Sequence, residues 1–71
     1  MMDDLILDQF LIGNEYALYE FDLEYIETKT DLKGIDYEYY RYIGNKDLRK
    51  RTKIILVFNC DILRGVYVFK K

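Results

Sequence analysis

A chain with one cysteine and no histidine can close neither an internal disulfide nor a histidine-bound metal site, and at 71 residues that absence decides how it can hold itself together. A domain this short buries only about 60% of the surface its unfolded chain exposes, and core burial minus chain entropy comes out near zero. Without a staple, stability must come from dense aromatic packing or from self-association. The sequence carries eight tyrosines and four phenylalanines, each able to bury roughly 150 to 250 Å². It predicts one domain over residues 1–71, with a homodimer as the expected assembly.

Proline is absent, and Gly13, Gly34, Gly44 and Gly65 cut the chain into strand-sized pieces. From Tyr16 to Ile26, the residues Tyr19, Phe21, Leu23 and Tyr25 alternate with Glu20, Asp22 and Glu24. Period two with aromatic content predicts a half-buried strand, whereas a helix would stack Glu20 on Glu24. Asp31-Leu32-Lys33-Gly34 reads as a turn. Ile35 to Ile43 reads as a second strand, with Ile35, Tyr37, Tyr39, Arg41 and Ile43 on one face and Tyr40 and Tyr42 on the other.

Lys53 to Phe58 is apolar on both faces, as a central strand is. Asn59-Cys60-Asp61 then reverses the chain into a last strand, Ile62 to Phe69, with Gly65 a candidate bulge. Two segments admit two readings. Residues 3–12 are either a strand or a short helix, and Lys46 to Thr52 is either a long hairpin loop or one helical turn capped by Asn45. The fold class is mainly β, a four- or five-stranded antiparallel sheet or small open barrel. Phe21, Leu23, Ile54, Leu56, Phe58 and Val66 are its expected core.

Charge is divided along the chain. Residues 1–38 hold eleven acidic residues against two lysines, for −9, and residues 39–71 hold nine basic residues against two aspartates, for +7. An acidic strand laid beside a basic one would form cross-strand pairs and cancel much of this.

Nothing in the sequence suggests catalysis. There is no histidine or serine and no glycine-rich phosphate loop, so neither a cofactor nor a metal is expected. Cys60 sits beside Asp61, whose charge disfavours a thiolate. The acidic Met1-Met2-Asp3-Asp4 start is unlike a basic leader, and Ile54 to Phe58 is far short of a membrane-spanning run. A cytoplasmic protein with no membrane contact is the expectation.

Two kinds of binding remain. The first is a non-catalytic module acting by protein–protein contact, with Glu20, Asp22 and Glu24 as an acidic partner-binding face. Its size and its Lys-, Ile-, Tyr- and Asp-rich composition suggest a small accessory protein of the phage or mobile-element type. The second is a nucleic-acid-binding small barrel using residues 37–53, in which Tyr39 and Tyr42 would stack bases. Arg41, Lys46, Arg49, Lys50, Arg51 and Lys53 would then track phosphates.

Overall fold

The computed structural model describes residues 10–44 and 46–70. Four antiparallel strands form one open sheet in chain order: β1 (Leu23–Thr30), β2 (Asp36–Tyr42), β3 (Thr52–Asn59) and β4 (Ile62–Lys70). A helix of six residues, α1 (Lys46–Arg51), joins β2 to β3, which resolves that segment in favour of the helical reading. The proposed cap, Asn45, lies outside the described residues, as do residues 3–9 of the ambiguous first segment. The rest of that segment, Phe10 to Ile12, is neither strand nor helix.

Turn chemistry explains two of the connections. The Asp31 side chain accepts hydrogen bonds from the backbone N–H groups of Lys33 and Ile35, at 2.8 and 2.9 Å, and Gly34 supplies the left-handed step at φ +82°. Between β3 and β4 the loop is only Cys60 and Asp61, both at positive φ (51° and 64°). A two-residue hairpin of type I′ demands that of both central residues.

The first expected strand is shorter than its alternation suggested. Tyr16–Leu18 and Glu20–Asp22 are two 3₁₀ turns, and the strand begins only at Leu23. The Tyr19 N–H reaches the Tyr16 carbonyl at 2.9 Å and the Asp22 N–H reaches the Tyr19 carbonyl at 2.8 Å, the i→i+3 pattern that places residues three apart on one side. Tyr16 and Tyr19 therefore both face the core. Phe21 points away and is 90% exposed, which corrects its expected place in the interior.

Alternation gives the sheet two unlike faces. On the inner face Ile54, Leu56, Phe58 and Leu63 are buried together with Phe10, and Leu23, Tyr40, Tyr42, Val66 and Val68 pack around them half-exposed at most. Each fully buried aliphatic or phenyl group contributes roughly 1.5 to 3 kcal/mol. The segment before β1 covers this face. It runs beside the start of β4, where Gly13 N–H bonds to the Leu63 carbonyl and Tyr16 N–H to the Asp61 carbonyl, at 2.8 and 2.7 Å. It then crosses to the far edge of the sheet and enters β1. Seven of the twelve aromatic rings are linked in one set of contacts between strap and sheet, among them Tyr16 against Phe58 at 5.5 Å and Phe10 against Tyr42 at 4.9 Å between centroids.

Candidate functional site

The other face of the sheet has no covering element among the described residues. Its rows follow from the strand registers: Glu24, Arg41, Ile55 and Tyr67 in one, and Glu27, Tyr39, Val57 and Gly65 in the next. A β-bulge at Ile26 in β1 and another at Arg64 in β4 interrupt the pairing, so that Ile26 and Arg64 both turn toward this face. The second bulge adjoins Gly65, as the sequence suggested.

Ile26, Tyr39, Ile55, Tyr67 and Phe69 line a shallow groove of about 370 Å³ together with the charged Glu27. Ile55 and Val57 are sheltered by the taller side chains around them, at 8% and 5% exposure. Those taller side chains stay open: Ile26 is 44%, Tyr67 50% and Phe69 53% exposed. Beside the groove, Tyr37, Tyr39, Val57, Arg64, Gly65 and Tyr67 enclose a notch of about 240 Å³.

Charges edge the face and are partly spent on one another. Arg41 pairs with Glu24 across β1 and β2, at 2.5 Å, a direct bond between the basic and acidic halves of the chain. Lys29 pairs with Glu27 at 3.3 Å and lies over the Tyr39 ring, 5.2 Å from its centroid. At the α1 end Arg41, Lys46, Lys50, Arg51, Lys53 and Lys70 stand with Asp22, Glu24 and Asp47, and at the hairpin end Asp31, Asp36 and Asp61 stand with Lys29, Lys33 and Arg64; there the Asn59 side-chain amide holds the Asp36 carbonyl at 3.0 Å.

The acidic trio does not share a strand face. Glu20 and Asp22 belong to the second 3₁₀ turn, and only Glu24 is on β1, where it is tied to Arg41. The basic and aromatic set is divided too. Tyr39 and Lys53 stand on the open face, whereas Tyr42 packs against Phe10 on the inner one, out of reach of a stacked base. Lys46, Lys50 and Arg51 are exposed on α1; the side chain of Arg49 lies outside the described residues.

Sequence reasoning missed Ile26, Tyr67 and Phe69. The available signal was the two-sided apolar character of β3, whose second face needs neighbours of its own kind.

One inner residue is electrostatically distinctive. Burial and the neighbouring Glu38 carboxylate, to which its hydroxyl donates a bond of 3.2 Å, push the Tyr40 phenol up to about 12. It is enclosed by Tyr16, Tyr25 and Phe58, and so serves packing. Among the described residues no three His, Cys, Asp or Glu side chains lie close enough to hold a metal ion, and no helix is long and apolar enough to cross a membrane. Comparison of the chain with protein-family models, with curated proteins and with solved structures finds no match in any of the three.

Proposed function

We propose that this chain is a non-catalytic protein-binding module whose working surface is the open face of the sheet. The observation that carries the reading is the groove of Ile26, Tyr39, Ile55, Tyr67 and Phe69, in which Tyr67 and Phe69 stay half exposed around an aliphatic floor. An aromatic-rich, charge-poor centre with ionic residues at its margin is the composition of a protein contact. The acidic face expected from Glu20, Asp22 and Glu24 becomes secondary. Its size, composition and single thiol support an accessory protein of the phage or mobile-element type working in the cytoplasm.

The test compares immobilised wild-type protein with a Tyr67→Lys/Phe69→Lys variant as bait in host lysate. A nuclease-resistant band retained by the wild type and lost by the folded variant is expected. Equal capture by both would move the binding surface elsewhere.

A second reading, single-stranded nucleic acid, draws on Tyr37, Tyr39, Tyr67 and Phe69 sharing one face with Arg64 and Lys53. It ranks second because Ile26, Ile55 and Val57 cannot stack on bases, and because Arg41 and Lys29 already hold carboxylates. Retention on an oligothymidylate column at about 50 mM salt, where non-specific electrostatic binding is strong, would reverse the ranking.

A further inference from the structure

We propose that the outer edge of β4, from Val66 to Lys70, is a strand-addition interface at which a second copy of this chain pairs antiparallel, about a two-fold axis through Val68. This contact is separate from the open-face reading above and is made by backbone rather than by the groove. Three observations carry it.

The first is a half-filled edge. Leu63 turns its backbone groups away from β3, and the strap takes both: Gly13 N–H bonds the Leu63 carbonyl and Leu63 N–H bonds the Asn14 carbonyl, each at 2.8 Å. Past the bulge at Arg64, antiparallel alternation commits Gly65, Tyr67 and Phe69 to Val57, Ile55 and Lys53, and turns the N–H and C=O groups of Val66, Val68 and Lys70 outward. The strap does not follow them. It folds back between Leu11 and Asn14, whose N–H bonds the Leu11 carbonyl at 3.1 Å, and Phe10 lies in the core. Among the described residues no backbone group meets the outward groups of Val66, Val68 and Lys70.

The second is the contrast between the two edges of the sheet. The β1 edge is guarded as edge strands usually are, by a bulge at Ile26 and by exposed Glu24, Glu27 and Lys29. Val66-Tyr67-Val68-Phe69 carries no charge, no glycine and no bulge, and all four residues favour strands.

The third is register. An axis at Val68 sets Val68 against its own copy, Val66 against the partner's Lys70 and Tyr67 against the partner's Phe69. Each outward donor then meets an outward acceptor, giving about six backbone bonds. Tyr67 and Phe69 fall at the closer, non-hydrogen-bonded positions, where aromatic cross-strand pairs gain most. No two charged residues face each other within Val66 to Lys70. The neighbouring registers are poorer: an axis at Tyr67 brings Lys70 beside the partner's Arg64, and an axis at Phe69 gives up the Val66–Lys70 bonds. Shifted further toward the turn, the partner's strand runs into the strap at Leu63. A strip this narrow buries less than about 1,000 Å², the class of weak, reversible pairs. The dimer is expected at chain concentrations on the order of 100 µM.

Sedimentation of the chain under reducing conditions, over a series reaching several hundred micromolar, should show a monomer–dimer equilibrium. Geometry is read on the native sequence. The exposed Cys60 lies roughly 20 Å along the strand from Val68, at about 3.3 Å per residue. A nitroxide there should therefore report a separation of about 40 to 50 Å across the dimer by pulsed dipolar spectroscopy. Val68→Pro removes the donor on the axis and spares the β3–β4 ladder, because the Val68 N–H points away from β3. It should weaken the dimer at least 10-fold with circular dichroism unchanged.

A chain that stays monomeric throughout the series overturns the proposal, as does a label separation below about 30 Å or a dimer that survives in folded Val68→Pro. If Val68→Pro does not fold, the label separation in the wild type decides. The open-face reading is judged apart from this, since Val68→Pro leaves Tyr67 and Phe69 in place: a folded, monomeric variant that still captures a host protein keeps that reading.

Discussion

The ring of Tyr40 meets that of Phe58 edge-on, with centroids 5.6 Å apart and planes at 84°. Phe58 is 1% exposed and also touches Tyr16 and Tyr19, so it is the point where the sheet and its covering strap are joined. Phe58→Ala should cost about 3 to 5 kcal/mol. That is most of what a domain of this size has, on the order of 5 kcal/mol, and urea titration should find the variant largely unfolded. The control is Phe21→Ser. At 90% exposure its removal should change stability by less than about 0.5 kcal/mol.

Tyr40 makes stability depend on alkaline pH. Its phenol is raised to about 12 from an ordinary 10, so the folded chain holds this proton more tightly than the unfolded chain does. The stabilisation is complete below pH 10 and fades as pH climbs toward 12. Tyrosinate absorbance should include a late step near pH 12 from Tyr40. Tyr40→Phe keeps the ring contacts and should abolish that step.

The β3–β4 turn carries one residue that suits it poorly, Cys60. Cys60 and Asp61 both sit at positive φ, where side chains other than those of Gly, Asn and Asp are strained. Replacing the pair by Asn-Gly, the preferred type I′ sequence, should raise stability by about 1 kcal/mol in thermal unfolding. An unchanged or lower melting temperature would count against the turn assignment.

The helix cations separate the two binding readings. Lys46, Lys50 and Arg51 are exposed, and replacing all three by Ala should move stability by no more than about 0.5 kcal/mol. Under the protein-contact reading the wild type shows no retention on nucleic acid. Under the alternative, the triple change flattens the log–log salt slope by about 2, at roughly 0.7 per lost contact.

Strand content was legible wherever alternation and turn chemistry agreed, as in Ile35 to Ile43 and from Lys53 to Phe69. It misled at Tyr16 to Asp22, because a period of two and a period of three both place Tyr19 inward, and the alternation runs on unbroken into the true strand. The i,i+3 pair of Tyr16 and Tyr19 was the competing signal. Ile54, Leu56 and Phe58 were identified as core, and Leu23 and Val66 lie at its margin. The open face was harder to see. Its groove combines residues from all four strands, and its geometry turns on bulges at Ile26 and Arg64 that depend on pairing with distant residues.

The strap that ties Gly13 and Tyr16 to Leu63 and Asp61 sets an order of events for folding. Every strand pairs with its neighbour in sequence, so the three hairpins can zip from local turns with little loop-closure entropy. The strap must instead close a loop of most of the chain's length before its contacts repay that loss. Pulse-labelling of a refolding chain would accordingly find the β3–β4 amides protected while those of Gly13 and Tyr16 still exchange. Closure of the strap would be the late step that packs Phe10, Tyr16 and Tyr19 onto Tyr40, Tyr42 and Phe58.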